Sequence, residues 1–161
     1  MACGPSKPKL ESYRKQTTDA SSLKKTREQI IQFARNQIGC KYKSAGKCKT
    51  GFDCSGFVIY VYHEFEIPMA ASAHEQAKRG RKIELENAVA GDLVFFGSEK
   101  QITHVGIISK NKKKDLSVIH SSSSKGVIEE NILLSDYWLR RIRKVVSLNS
   151  YMTSNEISFN K

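Results

Sequence analysis

The chain of 161 residues is poor in proline (three) and tryptophan (one), and no apolar run in it approaches the length of a membrane span. A chain without such a run is expected to be soluble or tethered rather than embedded in a bilayer. No C-x-x-C or H-x-x-x-H pair occurs, which excludes the common zinc signatures and predicts no metal or cofactor. There are no internal repeats and no alternation of strand and helix patterns of the βαβ kind, so solenoids and parallel α/β folds are set aside. Acidic residues are scarce against basic ones, 16 to 27, giving a net charge of +11. Such a surface is drawn to polyanions. The basic residues fall in short clusters (24–25, 41–49, 78–82, 110–114, 140–144), however, and lack the interleaved aromatic residues that stack bases. A basic solvated surface, without nucleic-acid binding, is the reading.

What is present suits one domain large enough to bury a real core. Residues 1–22 are polar, rich in Ser and Thr with Pro5 and Pro8, and read as a flexible leader. Leu23 opens a helical pattern with Ile30, Ile31, Phe33, Ala34 and Ile38 on one face, Ser22 as cap and Gly39 as stop. A lysine-rich loop over 40–52 follows. Phe57, Val58, Val61, Tyr62 and Phe65 then predict a helix over 55–65, capped by Asp53, with Pro68 beyond its end. A shorter helix is expected over 70–79. Strands are expected over 82–85, 93–96, 103–109, 116–121, 126–130 and 142–148, with the third and fourth forming a hairpin. Helices followed by hairpin-linked strands make an α+β order, with a domain over 23–148 and a tail over 149–161.

Cys54 stands where the polar loop meets the second helix. A sulfur there lies among amide groups lacking intrahelical partners, whose partial positive charge favours the thiolate. The plainer alternative is a small apolar residue packed under a helix start. Cys40 and Cys48 suit either two ordinary free thiols or a bridge across the short loop between them. Cys3, at the head of the polar leader, has the placement of a lipid-bearing cysteine once a signal segment is gone, which would anchor the protein without spanning a membrane. A thiolate that attacks a carbonyl needs a base and a group to orient that base. His63 lies nine residues along the helix and points away, and His74 has no evident partner. His104 and His120 sit at the same end of the proposed hairpin, where their side chains can share a face.

Four blocks together carry a family resemblance: Phe52-Asp53-Cys54-Ser55-Gly56-Phe57, Ala90-Gly91-Asp92-Leu93-Val94-Phe95-Phe96, Ile102-Thr103-His104-Val105-Gly106-Ile107 and Ile119-His120-Ser121-Ser122. Their order and spacing resemble the NlpC/p-sixty family of cell-wall cysteine peptidases, and Tyr137-Trp138 with Ile142-Arg143 resembles that family's closing segment. The resemblance implies a papain-like α+β fold, with the nucleophile at a helix N-terminus packed on an antiparallel β-sheet. It assigns Cys54 as nucleophile, His104 as general base and His120 as the residue orienting it. Tyr42 falls on the family's active-site tyrosine. Asp53, Ser55 and Ser72 are implied on the substrate side. The arginine that many members carry just before the short helix is absent, Ala70-Ala71-Ser72 standing there instead. The implied function is hydrolysis of an amide in the peptidoglycan stem peptide or cross-link, by a monomer in the bacterial cell envelope. The alternatives are a wall-associated scaffold lipoprotein without turnover, and an amidase or acyltransferase of the same fold.

Overall fold

A computed structural model describes residues 20–153. Residues 1–19 of the expected leader, with Cys3, and the last residues of the expected tail lie outside the described residues, whereas residues 20–22, also expected in the leader, are helical. Helix α1 spans Ala20–Arg35, so Ser22 lies inside it rather than capping it. Ile30, Ile31 and Ala34 are buried in one stripe, whereas Ile38, expected on that stripe, is 47% exposed. The physical reason is that the helix ends at Arg35 and a turn follows. Gly39 in that turn takes φ +93° and donates its N–H to the Val127 carbonyl.

The loop that follows folds into a short hairpin, β1 (Lys47–Cys48) with β2 (Gly51–Phe52), which the sequence pattern did not predict. Cys40 keeps a free thiol, while Cys48 is disulfide-bonded, so no bridge joins the two. The expectation of free thiols holds for Cys40 and fails for Cys48. Helix α2 spans Cys54–His63 and buries Phe57, Val58, Val61 and Tyr62. Phe52 packs edge-on against Phe57 and lies 5.0 Å from Tyr60, which stacks on Phe33 of α1. This aromatic seam joins the two helices. α2 ends well before Pro68, and α3 is a single turn, Ala73–Gln76, shorter than expected because Ala70 and Ala71 stay outside it.

The six-stranded sheet runs in the order β3-β8-β4-β5-β6-β7. Its strands are β3 (Arg81–Ile83), β4 (Leu93–Gly97), β5 (Ile102–Lys112), β6 (Asp115–Ser122), β7 (Gly126–Asn131) and β8 (Ile142–Ser147), and every pairing is antiparallel. The third and fourth predicted strands are indeed a hairpin, with Ile107 opposite Ile119. Side chains alternate between faces along each strand. Val105, Ile107, Ile119 and Val127 pack with the helices in one core cluster, whereas Val94, Phe96, Val118 and Val145 form a second on the opposite face. That second face is covered by the 3-10 turn Ile132–Leu134, with Trp138 of the one-turn helix α4 (Asp136–Leu139) packed against it. Residues 149–153, expected as loose tail, form a short helix, α5 (Asn149–Thr153). Tyr151 and Met152 are half-buried against the core, which holds the segment in place. Among the described residues no helix is long and apolar enough to cross a membrane.

Arg27 of α1 is buried and pairs with Asp92 at 2.8 Å, each side chain no more than 8% exposed. The guanidinium also donates to the Ala90 carbonyl at 2.6 Å and contacts Ser147 and Asn149. Tyr62 donates its buried hydroxyl to the Gly91 carbonyl at 2.6 Å. Both helices are thereby pinned to the turn that delivers β4, which gives the Ala90-Gly91-Asp92 block a structural reason.

Candidate active site

Cys54 is the first residue of α2. Asp53 caps the helix in extended conformation, its carboxylate accepting from Gly56 N–H at 2.6 Å. Gly56 is required by contact: a Cβ there would lie 1.9 Å from the Gly46 carbonyl oxygen. The same carbonyl accepts from Asp53 N–H at 3.0 Å, so the loop before the helix and the helix start are held backbone to backbone. The half-buried sulfur rests against the main chain of β5 on either side of His104. Thr103 O is 4.0 Å away, and the amides of Val105, Ser55 and Cys54 itself are directed at the sulfur. Those amides favour the thiolate, as expected of a helix start. Burial and then the neighbouring Asp53 carboxylate outweigh them, and the thiol is pushed up from its ordinary range. The resting form of the site is therefore a neutral thiol, a correction to the expectation from the helix end alone.

His104 and His120 lie on the sheet face opposite the helices. In the antiparallel register His120 sits across from the glycine at 106, two residues beyond His104. A Cβ at Gly106 would come within 2.3 Å of Val118 Cγ1 and 3.2 Å of His120 Cβ. The missing side chain leaves room for the two rings to meet diagonally, His104 Nε2 to His120 Nδ1 at 2.9 Å. His120 Nε2 in turn lies 2.8 Å from Glu130 Oε1, and the indole Nε1–H of Trp138 donates to that same oxygen at 3.0 Å. Trp138 stacks on the His104 ring at 4.9 Å and 25°, and Phe96 closes a further side at 5.8 Å. Enclosed in this way, and beside His120, the His104 imidazole falls to a pKa of about 3. Burial also lowers that of His120, against the opposing pull of Glu130.

The sulfur and the His104 ring open on one cleft of about 470 Å³. Tyr42 stands on its wall, placed by a bridge to Phe52. Partial burial, with the Cys54 sulfur once it is ionised and the Asp53 carboxylate nearby, pushes its phenol up, so the hydroxyl stays protonated and able to donate. Lys125 and Arg141 flank the cleft, the latter's guanidinium 3.9 Å above the Tyr137 ring. Three residues expected on the substrate side are engaged structurally instead. Asp53 is the helix cap, Ser55 is buried and donates towards Asp53 at 3.2 Å and Ala71 O at 3.3 Å, and Ser72 caps α3. None of the three lines the cleft. His63 and His74 are exposed and stand apart from it. Among the described residues no group of three or more His, Cys, Asp or Glu side chains could hold a metal ion.

Sequence reasoning missed Glu130 and Arg141, and it quoted Trp138 without a role. A glutamate two residues past the direct cross-strand partner of His120, Ile128, is a signal that strand register could have supplied.

The profile of the NlpC/P60 family matches residues 39–147. The chain is 35% identical over 113 residues to murein DD-endopeptidase MepS/murein LD-carboxypeptidase of Escherichia coli K12, covering 68% of this chain and 57% of that protein. It is 37% identical over 112 residues to gamma-DL-glutamyl hydrolase of Bacillus subtilis, covering 69% of this chain but 27% of the relative. It thus spans between about a quarter and three fifths of the length of these relatives. The NlpC/p60 domain of peptidoglycan hydrolase SagA superposes with a TM-score of 0.64 at 30% identity, over 74% of this chain and 96% of that domain. With the helix-start cysteine, the paired histidines and this agreement over most of its length, the chain belongs to the NlpC/P60 family.

Proposed function

We propose that the chain is a peptidoglycan endopeptidase that cuts an amide of the stem peptide or cross-link through a thioester on Cys54. The observation that carries this is the opening of the Cys54 sulfur onto the same cleft as an imidazole whose Nε2 is already committed to His120. That commitment leaves His104 Nδ1 for the thiol. In the first half-reaction Nδ1 takes the thiol proton as sulfur bonds to the carbonyl carbon. The oxyanion gathers at the α2 start, where the Cys54 N–H and the protonated Tyr42 hydroxyl are donors of the right kind. The C–N bond then breaks, and the imidazolium returns its proton to the leaving amine. Water, deprotonated by the same nitrogen, attacks the thioester and releases the acid and the thiol. His120 keeps the ring of His104 oriented in both halves.

Three further features support a peptidoglycan substrate. Stem peptides carry free carboxylates, and the cleft is flanked by Lys125 and Arg141. Arg141 gives the site a guanidinium although the arginine expected before α3 is absent. The relatives named above are hydrolases of murein or of glutamyl bonds, and by their names they divide over which bond is cut. The same reading places the protein in the bacterial envelope as a monomer.

Mass spectrometry of fragments released from purified peptidoglycan tests the proposal. New amine and carboxyl ends, present with the wild type and missing with Cys54→Ala, are expected, and their identity names the bond. Unchanged muropeptides with a folded wild type would point instead to a scaffold role.

A further inference from the structure

We propose that Glu130 is a positioning residue that sets the tautomers of both active-site histidines, holding the His104 Nδ1 lone pair open to the Cys54 thiol. The proposal rests on the reading of Cys54 as nucleophile and His104 as base. It follows from the direction of three hydrogen bonds.

Glu130 Oε1 accepts from the indole Nε1–H of Trp138 at 3.0 Å, and a carboxylate oxygen has no proton to donate. The same oxygen faces His120 Nε2 at 2.8 Å, and an accepting oxygen requires the proton of that bond to sit on Nε2. A neutral imidazole has one N–H and one lone pair. With Nε2 protonated, His120 Nδ1 holds the lone pair and accepts, at 2.9 Å, from His104 Nε2–H. The same rule then leaves the lone pair of His104 on Nδ1. One carboxylate oxygen thus decides, through two rings, which nitrogen of the base is ready to take a proton.

Burial makes the arrangement dependent on this carboxylate. His120 is 1% exposed, so water has little access to replace the acceptor, while the Glu130 side chain is 28% exposed and retains part of its hydration. The neighbouring glutamate is a built-in contrast. Glu129 points to the other face of β7 and forms a two-pronged pair with Arg35, at 2.7 and 2.9 Å. Adjacent carboxylates on one strand therefore serve different faces, and only Glu130 reaches the histidines. Without it, nothing prevents the pair from reversing, with His120 Nδ1–H donating to His104 Nε2 and the His104 proton moved to Nδ1. In that tautomer the nitrogen needed by the thiol is already protonated.

The test combines imidazole nitrogen NMR on the free, full-length protein with steady-state kinetics on soluble muropeptides, for the wild type, Glu130→Gln and Glu130→Leu. In the wild type both histidines should give the Nε2–H signature. Glu130→Leu should shift His104 towards Nδ1–H and lower kcat by about 10- to 100-fold with little change in KM, a part of the roughly 10²–10⁴-fold that general acid–base catalysis contributes. Glu130→Gln still offers an oxygen, which the Trp138 N–H keeps turned towards the histidines. It should therefore preserve the Nε2–H signature and recover most of the lost kcat. Nδ1–H tautomers in the wild type, or a loss of activity in Glu130→Leu with unaltered tautomers, would overturn the proposal. The NMR signature needs no substrate, so a protein with the expected tautomers and no muropeptide hydrolysis would count against the proposed function and leave the role of Glu130 standing.

Discussion

Two buried polar clusters sit at different places in this fold and are built on different terms. Around Arg27 and Asp92 the charges are closed on each other: guanidinium, carboxylate, the Ala90 carbonyl and the side chains of Ser147 and Asn149 satisfy one another without a reactive group. Around His104 the chain of contacts is open at one end. Trp138, Glu130 and His120 are each engaged, and the last ring faces a cleft with the thiol on its wall. The first cluster locks the helices to the β4 turn. The second keeps one nitrogen unspent, and that difference separates a structural polar core from a candidate catalytic one.

Breaking the open end should have the largest effect. Cys54→Ala should abolish release of peptidoglycan fragments while the melting temperature stays close to that of the wild type. Cys40→Ser should retain most activity, and an equal loss there would identify the wrong sulfur.

Breaking the closed cluster should do the reverse. Arg27→Ala leaves Asp92 buried without its counter-charge, at a cost of about 3–5 kcal/mol in denaturant unfolding. The kcat of the fraction still folded should be unchanged. A fall in kcat with little loss of stability would mean that the two clusters are coupled.

Acid probes the open cluster as a whole. Because His104 is held near 3 in the fold against about 6.5 in an unfolded chain, the unfolded state binds more protons between those limits. Stability is full above pH about 6.5 and drains away as pH falls towards 3, by a few kcal/mol in all. His120 acts in the same direction. In His104→Gln, denaturation titrations should lose much of this slope; an undiminished slope would assign it elsewhere.

Smaller changes sharpen the description of the cleft. Arg141→Ala should raise KM by about tenfold with kcat nearly constant, as for a contact made equally in ground and transition states. A change confined to kcat would remove Arg141 from substrate binding. Asp53→Asn should keep the helix cap, since the two residues cap about equally well. It removes the charge that raises the thiol, so the pH profile of Cys54 alkylation should move to lower pH without a change in melting temperature. A profile that does not move would leave burial alone responsible.

Much of this was legible in the residues themselves. The spacing of Phe57, Val58, Val61 and Tyr62 located α2, Asp53 marked its cap, and short apolar runs between turn residues located the strands, because local geometry and burial write directly into a linear pattern. Histidines at one end of a hairpin could likewise be paired, since antiparallel register is set by a turn close in sequence. Glu130 was not legible, for its role depends on a second register, β6 with β7, and on Trp138 folding back over the sheet from a later turn. The same applies to Arg27, a helix-face arginine until Asp92, 65 residues away, is brought against it. The thiol's upward shift was missed for a related reason: the helix end is a local feature, whereas desolvation is a sum over everything packed around the sulfur.

The sequence by itself determined the two long helices, the six strands of the main sheet, their order and the pair of residue types that chemistry requires, since those follow from short-range periodicity and from side-chain identity. Only the tertiary structure decided which nitrogen faces which oxygen, which serines and carboxylates are consumed in caps, and which cations stand on the cleft. Those outcomes depend on distances between segments remote in the chain, and hydrogen bonding and desolvation change over tenths of an ångström that no linear pattern encodes.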